Sequence, residues 1–291
     1  MTTLGVFRIL FHRAQFRPSA HLTRRAIHPI IAAPDGKKKV PSFSHSKLES
    51  YKQCPQKYKF RYLDEIPSPI RSIELHLGDS VHRALEKLYA DAAQGRIASV
   101  DELLKCFQEK WDEGFSSELR IVRARTTAQT YLELGRKMLA DYHWTFHPFT
   151  QSATLELEEK FLFPISPDHE MRGIIDRLAR NKDGTLEIHD YKTSRRLPDA
   201  EKVSSDTQLA LYEIAIRHRW PETQQISLIW HYLAFDKEIK ITKTTDELES
   251  VKKSTLGWIQ RIEAATSFPT VVTPLCNWCE YKELCPAMKK P

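Results

Sequence analysis

Residues 188–196 read IHDYKTSRR, and the spacing of three of them frames the chain. On a β-strand, side chains two apart project from the same face. Ile188, Asp190 and Lys192 would share one face; Glu187, His189, Tyr191 and Thr193 would share the other. An acid and a base beside Ile188 form either a buried ion pair or a working site. A lone D-x-K at a sheet edge is most often structural, so the decision rests on what else reaches that face.

Upstream, residues 171–180 (MRGIIDRLAR) and 185–193 (TLEIHDYKT) form two expected strands joined by the tight turn Asn181-Lys182-Asp183-Gly184. Asp176 lies on the first strand and Asp190 on the second. Neighbouring strands run about 4.8 Å apart, so both carboxylates can reach one cation. Two carboxylates and few other donors suit Mg²⁺, which keeps waters and prefers hard oxygen ligands. Lys192 would then hold or deprotonate a water at that metal, or stabilise negative charge on a phosphate.

Residues 153–163 (ATLELEEKFLF) alternate apolar and charged, as a half-buried strand does. Ser44 caps a helix through SKLESYKQ, and Pro55 starts another through QKYKFRYL. Leu77, Val81, Leu85, Leu88 and Ala92 recur at helical spacing between Leu75 and Gln94, and Gly95 ends that helix. Helices over about 100–117 and 126–146 precede the strands. After the hairpin come a helix over about 205–219, strands at about 226–235 and 238–243, and a helix from Asp246 to about 266. The order predicts one α/β domain over residues 41–291 with an N-terminal helical portion.

Further residues can join the site. In LGDSVHRALE, Gly78, His82 and Glu86 fall on one side of a helix. His82 either packs there or offers a nitrogen ligand to the same metal. Gln208 and Tyr212, at i and i+4 in SDTQLALYEIAI, can touch a phosphate or stack on a base. The segment 51–62 (YKQCPQKYKFRY) offers stacking and phosphate contacts, or packs as an amphipathic helix.

Five cysteines and no secretory signal argue against a disulfide framework. Cys276-x₂-Cys279-x₅-Cys285 is a metal or cluster half-site, and Cys54 in QCPQKY is the fourth thiolate; zinc and an iron–sulfur cluster both fit the spacing. Such a centre would staple the two chain ends together. Cys106, inside LLKCFQEKW, reads as a structural thiol.

Charge adds little. The formal net charge is +6, but residues 1–40 hold eight Lys or Arg against Asp35 alone. The other 251 residues carry 36 basic and 37 acidic side chains, so a nucleic-acid argument must come from a site. Residues 1–34 contain five Arg and no acid. They read as a disordered basic arm, a stretch behind an upstream start, or a transit peptide, giving a cytoplasmic location or, in the last case, the mitochondrial matrix. No apolar run is long enough for a membrane helix, and no membrane partner is expected.

As a set, GxxxHxxLE (78–86), GxxDR (173–177), DYKT (190–193), QLxxY (208–212) and C-x₂-C-x₅-CP (276–286), with a lone CP at 54–55, resemble the RecB-like branch of the PD-(D/E)XK nucleases. More narrowly the set resembles its iron–sulfur members, which include AddB C-terminal domains and stand-alone exonucleases related to the CRISPR adaptation nuclease. The resemblance spans about residues 42–288. It implies a restriction-endonuclease-like core, a mixed sheet flanked by helices, and a metal-dependent DNA nuclease, in particular a single-strand exonuclease of DNA repair or recombination. By this resemblance His82, Asp176 and Asp190 bind Mg²⁺ or Mn²⁺, and Lys192 assists the water. Gln208 and Tyr212 support the site and contact nucleic acid. Cys54, Cys276, Cys279 and Cys285 hold a [4Fe–4S] cluster rather than zinc. A family glutamate upstream of GxxDR falls on Glu156, Glu158 or Glu159, which spacing does not separate. A helicase or recombination partner follows by analogy alone. Two rival readings remain: a catalytically silent DNA-binding module of the same fold, and a zinc-stapled interaction protein.

Overall fold

The expected hairpin lies at the middle of a six-stranded sheet. The computed structural model describes residues 40–68 and 70–288, and the basic arm expected at the N-terminus falls, up to residue 39, outside them. Strand β2 (Ser152–Ser166) pairs antiparallel with β3 (His169–Asn181), and β3 with β4 (Leu186–Lys192). Strand β4 runs parallel to β5 (Ile226–Tyr232), which pairs antiparallel with β6 (Lys237–Ile241). A short β1 (Ser42–Ser44) lies parallel to the start of β3. The hairpin turn closes where Gly184 adopts φ +94°, a conformation that favours glycine.

Strand β2 follows β3 along its length, so β1 and β4 share β3's other edge. Strand β1 takes residues 170–172 and β4 takes 177–180, leaving β3 without a strand partner on that edge from 173 to 176. The sheet forks there, with Asp176 at the crotch.

Eight helices flank the sheet among the described residues: α1 (His45–Gln53), α2 (Pro55–Tyr62), α3 (Ile73–Ala93), α4 (Val100–Gly114), α5 (Ala128–Phe146), α6 (Ala200–Ser204), α7 (Gln208–Arg219) and α8 (Thr245–Glu263). Local chemistry sets their starts. Ser44, Ser72, Ser99, Thr127 and Thr244 each accept a backbone N–H from the first turn. Helices α3–α5 bury Leu77, Leu85, Phe107 and Leu139 with Tyr191 of β4 on one face. On the other face α7, the crossover from β4 to β5, buries Leu209, Tyr212 and Ile216 against Ile175, Ile188 and Trp230. Covered on both sides, β4 and β5 are buried throughout except at Lys192. A third cluster joins Phe43, Tyr58, Phe163, Leu211 and Ile259, tying β1, α1 and α2 to α8.

Some boundaries differ from the sequence reading. The helix expected at about 205–219 begins at Gln208, where Asp206 turns its carboxylate onto the Gln208 N–H (2.8 Å), and a separate short helix, α6, precedes it. The strand expected to reach 235 stops at Tyr232, where a 3₁₀ turn and a left-handed Asp236 (φ +45°) re-aim the chain. The mixed sheet between helices is the restriction-endonuclease-like core that the resemblance implied. No described helix is long and apolar enough to cross a membrane.

Candidate metal centre and cysteine clamp

At the fork, the backbone of Tyr191 organises the site. Strand β4 continues past its last rung with β3, Arg177 opposite His189. The Tyr191 N–H donates instead to Asp176 Oδ2 (2.8 Å), and the Tyr191 carbonyl lies 2.8 Å from His82 Nε2 on α3. A carbonyl only accepts, so His82 carries a proton on Nε2, and Nδ1 is the nitrogen turned toward the carboxylates. Nδ1 lies 3.5 Å from Asp176 Oδ2 and 3.9 Å from Glu158 Oε1. One ligand atom from each of His82, Glu158 and Asp176 lies within 4.8 Å of the others, the only such trio of His, Cys, Asp or Glu among the described residues.

Glu158 reaches this position through a break in the pleat. Its neighbours pair as Leu157 with Arg177 and Glu159 with Ile175, so Glu158 stands opposite Asp176. Glu158 itself adopts φ +46°. Leu157 packs with the α3 side and Arg177 stacks on Tyr89 of α3, whereas Phe161 and Ile175 join the α7 side. Both strands thus change face at the Glu158–Asp176 rung, and two carboxylates meet beneath His82. Burial, and then the neighbouring Asp176 charge, push Glu158 up to about 7. Burial likewise pushes Asp176 up to about 6, against the pull of His82 and with the push of Asp190. Half-buried carboxylates held this close favour protons or a cation. One nitrogen and two hard oxygens fit a divalent ion of the Mg²⁺ or Mn²⁺ kind.

Asp190 and Lys192 lie on the α7 side, as the alternation required. Lys192 Nζ is 2.7 Å from Asp190 Oδ2 and donates to Gln208 Oε1 (2.9 Å); Gln208 Nε2 donates to the Tyr212 hydroxyl (3.0 Å). Burial works to lower the Lys192 pKa, but Asp190 outweighs it, so the ammonium form is favoured. Four of the expected residues are therefore one chain of contacts, Asp190–Lys192–Gln208–Tyr212. Asp190 lies outside the trio of donors within 4.8 Å of one another, and Glu158 lies inside it. Gly173 makes room for this arrangement: a Cβ there would lie 2.4 Å from the Phe161 ring and 2.8 Å from the Tyr212 ring.

The second constellation is distant in sequence. Cys54, between α1 and α2, and Cys276, Cys279 and Cys285, on two short 3₁₀ turns of the tail, line one cavity of about 120 Å³. All four are free thiols. Glu280 meets Lys57 (3.2 Å) and Arg61 (3.6 Å), the Tyr281 hydroxyl donates to the Ile66 carbonyl (2.9 Å), and Arg120 donates to the Cys279 carbonyl (3.1 Å). No three of the sulfurs lie mutually within 4.8 Å. Around a tetrahedral zinc with bonds near 2.3 Å, they would be roughly 3.8 Å apart. Cys106 lies apart from them, half-buried on α4.

The profile of the PD-(D/E)XK nuclease superfamily matches residues 42–286. The chain is 26% identical over 209 residues to an ATP-dependent helicase/deoxyribonuclease subunit of Streptococcus uberis, covering 69% of this chain but only 18% of that protein. It is 25% identical over 285 residues to the Gene 69 protein of Mycobacterium phage D29, covering 86% of this chain and 98% of that one. A crystal structure of a candidate exonuclease from Eubacterium rectale matches over 85% of this chain and 89% of its own, at 13% identity and a TM-score of 0.49.

Proposed function

The chain belongs to the PD-(D/E)XK nuclease superfamily, and from that premise we propose that it is a metal-dependent deoxyribonuclease that digests single strands from an end. The observation that carries this reading is the fork. His82 Nδ1, Glu158 and Asp176 converge there beside an Asp190–Lys192 pair. Asp190, within electrostatic reach of Asp176, completes the acidic wall.

A bound Mg²⁺ or Mn²⁺ supplies Lewis-acid polarisation of the scissile phosphate and lowers the pKa of a water. The residues do the rest. Tyr191's backbone holds Asp176 and His82 in register, so ligand geometry is set by the sheet rather than by a loop. Lys192, kept as an ammonium by Asp190 and aimed by Gln208, presents a proton donor to charge developing on a phosphate oxygen. Gln208 in turn is oriented by Tyr212.

The cysteine cavity is read as a [4Fe–4S] site. Four thiols facing one apolar cavity suit a Cys₄ cluster, and sulfurs spread wider than a zinc tetrahedron support the larger group over zinc. Its role would be to hold the tail against α2. A partner carrying a helicase activity rests on the name of the streptococcal relative alone, and a place in DNA repair or recombination on the family resemblance alone.

The test is digestion of 5′- and 3′-labelled single-stranded DNA with Mg²⁺ or Mn²⁺ by anaerobically purified protein. Wild type should shorten the strand from one labelled end, while Lys192→Ala and Asp190→Ala should not. A brown protein with broad visible absorption supports the cluster; a colourless, zinc-loaded one removes it. Intact, metal-replete wild type that binds but does not cut DNA would leave a binding module in place of the enzyme.

A further inference from the structure

Next to the carboxylates, one face of the β2–β3 ribbon is bare. Past Glu158 and Asp176, β2 and β3 run on as a ribbon toward the turn between Ser166 and His169. One face of that ribbon is core, with Phe163, Met171 and Ile175 buried. The other carries the exposed Lys160, Leu162 and Pro164 on β2 and the exposed Arg172 and Ile174 on β3, with the partly exposed Glu170 opposite Pro164. Leu162 is 58% and Ile174 42% exposed. The register sets Lys160 opposite Ile174 and Leu162 opposite Arg172, so each of the two rungs nearest the carboxylates holds one cation and one aliphatic side chain, on alternating strands.

This surface adjoins the metal centre directly. Lys160 is two residues beyond Glu158 and Arg172 four before Asp176, about 7 and 13 Å along the strands at about 3.3 Å per residue. Neither cation forms an ion pair with a carboxylate of the described residues within 4.0 Å. The β2 glutamates Glu156 and Glu159 are engaged elsewhere, bound by Arg219 at 2.8 and 3.3 Å.

We propose that this ribbon face is the track on which one nucleic-acid strand lies as it enters the fork, with Lys160 and Arg172 on phosphates and Leu162 and Ile174 against bases. The proposal rests on the nuclease reading above. A single strand is the occupant because the surface is continuous with the carboxylates that would cut it, and its two free cations match a polyanion. The aliphatic side chains have work to do only with bases that are not already stacked in a duplex. With no aromatic platform and no polar side chain aimed at a base edge, the track should be nearly blind to sequence.

The test compares the full chain with Lys160→Gln/Arg172→Gln and with Leu162→Ser/Ile174→Ser. Two substrates are used: a single-stranded oligonucleotide, and bis(p-nitrophenyl) phosphate, which is too small to span the track. The cation variant should lower the ratio of oligonucleotide to small-diester kcat/KM about tenfold. Its log–log salt dependence should flatten by about 1.4, roughly 0.7 per lost phosphate contact. The aliphatic variant should lower the same ratio severalfold and leave the salt slope alone, while duplex binding changes less than single-strand binding. If wild type cuts both substrates but neither variant moves the ratio or the slope, the track is wrong and the nuclease reading stands. If wild type hydrolyses neither substrate, the nuclease reading fails and the track with it. Self-association of wild type that the variants lose, at an unchanged ratio, would assign the face to a second copy of the chain and also overturn the proposal.

Discussion

The fork and the cysteine clamp both gather residues distant in sequence, but by different means. At the fork the sheet does the gathering. Asp176, Asp190 and Lys192 sit on two adjacent strands, His82 is fastened to the Tyr191 carbonyl, and the surrounding core is buried on both faces. At the clamp, Cys54 faces a tail of two short 3₁₀ turns held by the buried Tyr281 ring against Phe60, by ion pairs of Glu280 and by single hydrogen bonds. The more exposed pair, Arg61 with Glu280, contributes little on its own, about 0–1 kcal/mol. The first region is ordered by the sheet; the second, on the cluster reading, would gain much of its order from a ligand.

The strongest test of that contrast is Asp176→Asn. The amide keeps an oxygen to accept the Tyr191 N–H but removes the charge. Single-strand cleavage should fall by about 10²–10³-fold, roughly 3–4 kcal/mol of transition-state stabilisation. The metal-free protein should melt no lower than wild type, because a carboxylate whose pKa burial raises is costly to ionise in place. A large drop in melting temperature would mean that the fork is held together by its charges, which would erase the difference between the two regions.

Cys54→Ser should show the opposite pattern. Losing one thiolate opens a loop of more than 200 residues, with a stability cost on the order of 3–5 kcal/mol if a cluster closes it in the wild type. Cys106→Ser, at a half-buried position on α4, should cost under about 1 kcal/mol. Denaturant unfolding of the two variants side by side, with iron content measured, checks both. Equal effects would remove the clamp.

Acidity separates the regions again. Glu158 and Asp176 have folded-state pKa values near 7 and 6, above their ordinary ones. The folded metal-free protein therefore binds more protons than the unfolded chain between about pH 4 and 7, and its stability falls as pH rises through that window. A divalent ion requires the ionised forms, so its binding releases protons. Added Mn²⁺ should raise the melting temperature more at pH 7.5 than at pH 5.5, and Glu158→Gln should flatten that difference. The clamp predicts no such dependence on Mn²⁺.

Legibility in the sequence followed the same divide between local and distant causes. D-x-K, GxxDR and the hairpin turn could be read because strand alternation and turn chemistry act over a few residues, and Asp190 and Lys192 do share a face. The thiols could be matched by type, since few other residues make a Cys₄ set. Glu158 could not be chosen over Glu156 and Glu159, because its aim depends on a pleat break shared with a strand more than ten residues away. A trace was present: in ATLELEEKFLF the apolar parity of Leu155 and Leu157 is interrupted by Glu159 before Phe161 resumes it. A charged residue on the apolar parity flags a strand that changes face, and the change falls between Leu157 and Glu159. The bare ribbon was hidden for the same reason. Its exposure depends on where α3 stops covering the sheet, which no spacing within β2 records.

The smallest effect expected is the most selective. Tyr212→Phe removes only the hydroxyl that accepts from Gln208 Nε2. The amide of Gln208 can face Lys192 with its oxygen or its nitrogen, and only the oxygen accepts from an ammonium. With the hydroxyl in place the two ends are told apart: one donates to Tyr212, leaving the other to hold Lys192 at 2.9 Å. Without it the wrong orientation costs less, and Lys192 spends part of its time without that guide. The loss should appear as about three- to tenfold in kcat, or roughly 1 kcal/mol, with KM for the oligonucleotide nearly unchanged. Stability should move by less than about 1 kcal/mol, since the ring keeps its packing on Phe161 (centroids 5.1 Å apart). A rise in KM with kcat intact would instead make Tyr212 a strand contact, and would move part of the fork's order from the protein to its substrate.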